Sequence, residues 1–436
     1  MESSGAFFIA QITNRKMYNI TPFSKAIKDE KGEFIMIFRK WLGEIELTKD
    51  LSLLLYIGGI YSLSVALSNT FVNIYLWKQS GEFIDLAIYN LSVVVFQPLT
   101  FILAGRWAKK VDRVIVLRIG VIFLALFYLS VLFFGSHASH YLVVLGGLLG
   151  IGYGFYWLAF NVLTFEITEP ETRDFFNGFL GSLTSCGGMI GPILAGFIIS
   201  RFSSNIGYTI VFGFSLTLFA LAVVLSFFIK RRPAHGRYLL TRILGERKNN
   251  RNWRLITNAH FFQGLRDGIF AFIISVFVFV STGSEFALGT FGLINSGISF
   301  LGYSLVTRLI KRKYRKRAIL LGGFLLYAGI FIIVFDFSYA RLLIYAAVIA
   351  IAYPIILVPY ISMTYDVIGR GWQAAEARIE YIVVRELFLN TGRIVSILAF
   401  IGAITFFNDK QSIPYLLMIL GAGYICVSFL LKRVST

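Results

Sequence analysis

Residues 141–166 read YLVVLGGLLGIGYGFYWLAFNVLTFE, a run of uncharged residues that ends on Glu166. About 20 apolar residues in a helix cross the hydrocarbon core of a bilayer, and this run is longer than that. Its end is repeated. Tyr153, Thr164, Phe165 and Glu166 recur as Tyr353, Thr364, Tyr365 and Asp366 at an offset of 200. Glu171, Arg173 and Gly187 recur as Glu376, Arg378 and Gly392 at 205, and Lys109, Lys110 and Arg113 as Lys311, Arg312 and Arg315 at 202. Three matches in one order and at nearly one spacing describe a membrane unit duplicated in parallel.

Outward from this stretch, eleven further segments are long and apolar enough to span: 51–77, 83–104, 114–135, 178–200, 207–229, 257–281, 286–307, 318–335, 342–368, 381–406 and 413–431. With 141–165 they make an all-α membrane protein of twelve helices, because a spanning strand would alternate strictly over about ten residues. The composition agrees: 57% of the 436 residues are hydrophobic and 15% charged, against roughly 25% charged in soluble domains. The division is a tail over 1–50, a six-helix half over 51–229, a basic linker over 230–256, a second half over 257–431, and a tail over 432–436. Within the first tail, Gly32–Leu47 reads as an interfacial helix with Phe34, Phe38 and Trp41 on one side. Residues 1–31 are polar and unpatterned, and Met36 is a second candidate start.

The 41 Lys and Arg against 23 Asp and Glu give a net charge of +18, which could suggest a nucleic-acid partner. Their placement says otherwise. With both termini cytoplasmic, 33 basic residues fall in inner segments and 4 in outer ones, the other 4 lying within helices. The charge therefore marks topology against the anionic lipids of the inner leaflet, with no nucleic acid implied. Two cysteines, no paired zinc ligands and no phosphate-binding glycine loop leave no metal site, cofactor, nucleotide-driven pump or enzyme legible.

Span 5 carries Gly178, Gly187, Gly191, Pro192 and Gly196, with Ala195 before the last glycine. The small residues bare one helix face for close approach, and the proline interrupts the backbone ladder. The loop after span 2 carries Gly105, Ala108, Lys109, Lys110, Asp112 and Arg113. On these two motifs residues 50–432 resemble bacterial exporters of the major facilitator superfamily, the first being similar to its antiporter motif and the second to its cytoplasmic gate motif. The loop departs from the family at Lys109, where the family has an acid, and at Asp112, where it has a glycine. The start of span 11 is acidic instead, with Glu376, Glu380 and Glu386. The expectation is a charge-swapped gate in which Lys109 or Lys110 pairs with Glu380 or Glu386. Span 4 lacks the arginine of the family's drug–proton antiporters.

Ionisable residues inside a bilayer are functional candidates by default, and here they concentrate in the second half. His260, Gln263 and Asp267 share one face of span 7, and Glu386, Asn390 and Arg393 one face of span 11. Both stripes are expected in the cytoplasmic halves of adjoining helices, pairing Asp267 with Arg393 and Arg266 with Glu386. Such pairs would lock the helices together rather than carry protons, since nearby cations keep a carboxylate ionised.

The resemblance implies that spans 1, 4, 7 and 10 line a central cavity. Span 1 offers Ser62, Asn69 and Asn73, span 4 offers Tyr153, Trp157, Asn161 and Thr164, and span 10 offers Tyr353, Tyr360 and two prolines that free carbonyls near mid-membrane. Amides and aromatic edges suit a neutral or amphipathic solute. The expected function is secondary active transport across the plasma membrane by alternating access, in the direction of export, by a monomer, with protons as a candidate coupling ion. Two alternatives stay open at this point: a flippase for lipids or lipid-linked sugars, and a non-transporting scaffold or sensor with a transporter fold.

Overall fold

The computed structural model describes residues 48–168, 172–202, 204–230, 237–407 and 409–435. The expected interfacial helix at Gly32–Leu47 lies outside the described residues. Those that are described form helices and connections with no strand, and twelve helices are long and apolar enough to cross a membrane. They are α1 (Lys49–Ser80), α2 (Phe83–Ala108), α3 (Arg113–Phe134), α4 (Leu142–Ile167), α5 (Arg173–Arg201) and α6 (Ser204–Ser226), then α7 (Arg251–Thr282), α8 (Glu285–Leu309), α9 (Arg315–Ile333), α10 (Tyr339–Gly369), α11 (Arg378–Phe406) and α12. The last is broken at Ala422 into Asp409–Gly421 and Gly423–Lys432.

Local chemistry sets several boundaries. The Thr48 hydroxyl accepts from Leu51 N and caps α1, and the Ser284 hydroxyl accepts from Ala287 N and caps α8. Such side-chain oxygens satisfy amides that the first turn leaves free. Asn250 caps α7 by accepting from Trp253 N, so this helix begins at Arg251, six residues before the expected 257. The apolar run alone hides that start, because the first turn of α7 carries Arg251, Asn252 and Arg254 and precedes the apolar run. The linker is not an open tether either. Leu240–Asn249 forms a helix, and Trp253, fully buried, donates its indole N–H to Ile243 O at 3.2 Å. The two prolines of α10 do not break it; the helix is continuous from Tyr339 to Gly369.

Packing repeats as the sequence does. In the first half α4 lies against α2 and α3, and α1 against α5 and α6. In the second, α10 lies against α8 and α9, and α7 against α11 and α12. Adding six to each label of the first half gives the second. The halves meet along α5 with α8 and along α2 with α11, which are themselves equivalent under the duplication.

Candidate functional site

On α4, Tyr153, Trp157, Asn161 and Phe165 keep some accessible surface while most residues between them are buried. They recur every four residues, so they form one stripe. The α10 residues at the repeat offset, Tyr353, Leu357 and Ile361, form the matching stripe of the other half. Tyr153 and Tyr353 sit near the middle of their helices. Where α4 is not covered by α2 and α3 it meets α1 and α11, and Trp157 packs edge-on against Tyr61 of α1 with centroids 5.4 Å apart.

Two expected lining residues are elsewhere. Tyr360 is fully buried and stacks on His260 of α7, centroids 4.8 Å apart. The repeat explains this, since its counterpart is Phe160, a buried residue, and the lining position is Leu357. Asn73 is also buried: its Oδ1 accepts from Asn90 Nδ2 of α2 at 3.0 Å, and its Nδ2 donates to Asn69 O at 3.4 Å. This amide chain ties α1 to α2. Asn161 accepts from the Tyr365 hydroxyl at 3.3 Å, joining the two stripes toward the basic end.

The charged residues come together, but not in the expected pairs. Arg266 Nη1 lies 3.4 Å from Asp267 Oδ1, and Arg385 Nη2 lies 2.5 Å from Glu386 Oε1, each pair within one helix. Asp267 also accepts from Gln263 Nε2 at 3.3 Å and from the Tyr353 hydroxyl at 3.4 Å. The chain continues from Gln263 to His260 and Thr364, and from Tyr353 to the Tyr424 hydroxyl. Neither Asp267–Arg393 nor Arg266–Glu386 forms. The reason is the seam: α7 and α11 touch backbone to backbone, with Gly264 against Leu389 O and Gly392 against Phe261 O. Charges cannot stand in so narrow a contact and lie on its flanks. Arg266 turns toward α10 and α12, over the Phe270 ring at 4.4 Å and near Tyr353 and Tyr424. With α7 starting at Arg251, Asp267 is at the middle of the helix rather than in its cytoplasmic half.

At the basic end the three repeated motifs assemble into two equivalent clusters. Glu166 at the end of α4 is held by Arg113 of α3 at 2.5 Å and by Arg378 of α11 at 3.4 Å. Asp366 at the end of α10 is held by Arg315 of α9 at 2.8 Å and by Arg173 of α5 at 3.0 Å. Each acid is held from both halves, Asp366 also by Arg312 of its own half at 3.6 Å. Arg315 also bridges to Asp174 of α5 at 2.5 Å. Beside them is a cleft of about 480 Å³ whose lining includes Phe165, Arg312, Arg370 and Arg378.

Lys109 lies 2.6 Å from Glu380, with both side chains almost wholly buried. Its ammonium also donates to Glu376 O at 2.8 Å and to Arg237 O at 3.2 Å. Glu380 accepts in turn from Leu239 N of the linker at 2.9 Å. Lys110 is exposed and Glu386 is engaged by Arg385, so of the possible partners only Lys109 and Glu380 meet. Asp112 accepts from Val114 N at 2.8 Å and caps α3. Gly105 admits Val383 of α11 and Tyr238 of the linker to its Cα. Burial, and then the Glu380 charge, raise the Tyr238 pKa, so this phenol stays a donor, here to Ile102 O at 3.3 Å.

At the opposite end, among the described residues, one ion pair joins the halves, Lys78 of α1 with Glu285 of α8 at 2.7 Å, the lysine side chain 39% exposed. The α5 motif lies along both contacts of that helix. Gly187 and Gly191 face the backbone of α1 at Leu63 and Leu67, and Gly196 faces Glu285 O of α8. Pro192 packs against Gly289 and Gly292 of α8, and Gly178 O accepts from Ser182. The second glycine-lined contact, to α8, could have been read from Gly289 and Gly292 in the sequence.

The Major Facilitator Superfamily family model matches residues 51–377. The chain is 63% identical over 396 residues to the uncharacterised protein YqgE of Bacillus subtilis, which covers 91% of this chain and 92% of that one. It is 26% identical over 148 residues to Multidrug resistance protein 1 of the same organism, 34% of this chain and 35% of that one. Among solved structures, the human organic anion transporter MFSD10 superposes with a TM-score of 0.67 at 14% identity, over 88% of this chain and 98% of the other. At that identity the likeness is one of fold.

Proposed function

The chain belongs to the major facilitator superfamily, a multi-pass secondary transporter by family and fold, and on that premise we propose that it exports an amphipathic solute across the plasma membrane as a single chain. The observation that carries this reading is the pair of equivalent ion clusters, Glu166 with Arg113 and Arg378, and Asp366 with Arg315 and Arg173. In each, the acid is held by an arginine of its own half and by an arginine of the other. Rocking the halves apart at the basic end therefore breaks the crossing bonds and leaves each acid a partner in its own half. A buried acid that kept no partner would be costly to expose and rebury. Export is supported by the small-residue and proline pattern of α5 and by the partial likeness to a multidrug resistance protein. The carboxylate of Asp267, reached by Gln263 and Tyr353, is the candidate for coupling to protons.

The test uses cells expressing the full chain and three dyes: cationic ethidium, anionic fluorescein and neutral N-phenyl-1-naphthylamine. Expression should lower the steady-state accumulation of at least one dye. The combined Glu166→Gln and Asp366→Asn substitutions should abolish that lowering while the protein still reaches the membrane. If no dye changes, and labelling of an Ala374→Cys thiol in the basic cleft is the same with and without the two substitutions, the clusters gate nothing and the protein is a scaffold.

A further inference from the structure

Beyond their first turns, α7 and α11 hold five charged residues, and three of them are cations: Arg266, Arg385 and Arg393 against Asp267 and Glu386. However these side chains rearrange, two carboxylates leave one guanidinium over. The surplus falls to Arg393. Arg266 is beside Asp267 and stacked on Phe270, and Arg385 is beside Glu386. Among the described residues no carboxylate lies within ion-pairing distance of Arg393. Its Nη1 donates to Asn390 Oδ1 of its own helix at 3.3 Å, a neutral acceptor. The first half supplies no charge at this depth.

The position of the surplus is fixed. Gly264 and Gly268 of α7 lie against the backbone of Leu389 and Arg393, so α11 cannot turn to carry the side chain elsewhere. Arg393 is near the middle of α11, keeps some accessible surface, and lies within electrostatic range of the Tyr153 and Tyr353 hydroxyls, one from each half. A cation held without a counter-ion at the centre of a membrane protein is a functional group by default.

Building on the transport reading, we propose that Arg393 receives the acidic group of the transported solute, which is an amphipathic organic anion: one carboxylate or sulfonate on an aromatic or branched apolar body. A guanidinium presents a planar fork that matches two anionic oxygens. Tyr153 offers a further hydroxyl, and Trp157 and Leu357, one turn along each stripe, take the apolar body. A single surplus charge, with Asp267 and Glu386 close by, disfavours solutes of two or more negative charges.

The experiment uses the full chain, purified in detergent, with Cys186→Ser and Cys426→Ser removing the native thiols and Tyr353→Cys placing one on the α10 stripe, within electrostatic range of Arg393. Its reaction is timed with anionic sulfonatoethyl methanethiosulfonate and with cationic trimethylammonioethyl methanethiosulfonate. The anionic reagent should react roughly tenfold faster, as expected where one sign of charge is focused in a cleft. Arg393→Gln should remove the preference and Arg393→Lys should keep it. Naphthalene-1-acetate should protect the thiol from the neutral methyl reagent better than naphthalene-1-acetamide does. Equal rates, a faster cationic reagent or equal protection overturn the anion reading and leave transport standing. No reaction with either reagent means that no solute reaches this depth, and overturns both. The ratio measured with Arg393 in place decides the matter even if Arg393→Gln does not fold.

Discussion

The Tyr360 hydroxyl is buried and has no hydrogen-bond partner among the described residues. A phenol placed this way loses its hydration without gaining a bond, which costs about 1–3 kcal/mol. Tyr360→Phe should therefore leave transport unchanged and leave thermal stability unchanged or raised by about 1 kcal/mol; a fall in either would mean that the hydroxyl meets the solute in another conformation. The sequence put Tyr360 with Tyr353 because both are tyrosines in one helix beside prolines. Residue type was the weaker guide. Aligning the halves at an offset of 200 sends Tyr353 to Tyr153 and Tyr360 to the buried Phe160. Asn73 misled for a similar reason: a buried amide satisfied by a neighbouring helix looks in sequence like one that faces water.

At the level of elements, the close contact of α7 with α11 decides where the charges can go. A Cβ at Gly392 would collide with Phe261 O and Leu265 N, both backbone atoms that no rotamer change can move. Gly392→Val should destabilise the protein by about 3 kcal/mol, in line with overpacking costs, and reduce the folded yield. Gly402→Ala, farther along the same helix with nothing within 4 Å of its Cβ, should be neutral. Equal effects of the two in thermal unfolding would show that the seam does not hold the helices. The spans were legible to within a few residues because the hydrophobic run is the physical requirement itself. Helix starts that precede the apolar run were not, since they follow from caps such as Asn250 rather than from apolarity. The expected cross-helix salt bridges failed because helical spacing says which residues share a face but not how near the two helices come.

For the molecule as a whole, the duplication gave the most reliable forecast. Glu166 and Asp366, Arg113 and Arg315, and Arg173 and Arg378, which recur at offsets of 200 to 205, meet in two clusters across the basic end. The gate pair Lys109–Glu380 stands outside that symmetry and carries the reversed charges. Removing one member of a buried pair costs about 3–5 kcal/mol, so Lys109→Glu or Glu380→Lys alone should open the basic end and increase labelling of an Ala374→Cys thiol. Combining the two should restore only part of the closure, because Glu380 also accepts from Leu239 N, which a lysine cannot do. A double variant labelled no less than the single ones would show that charge does not set this contact. The sequence named these partners among several, and it could not show that the linker backbone shares the same carboxylate.

The two stripes have a consequence for how a passenger would travel. Duplication built matching frames, yet one wall has kept Trp157 and Asn161 where the other has Leu357 and Ile361. With the Tyr353 hydroxyl already given to Asp267, one surface can exchange hydrogen bonds and the other can only exclude water. A surfactant-like molecule between them would be sorted by polarity as well as size, laid flat with its wetter flank to α4 and its greasy flank to α10. It would cross broadside rather than head first, and molecules polar on every side would find one wall with nothing to offer them.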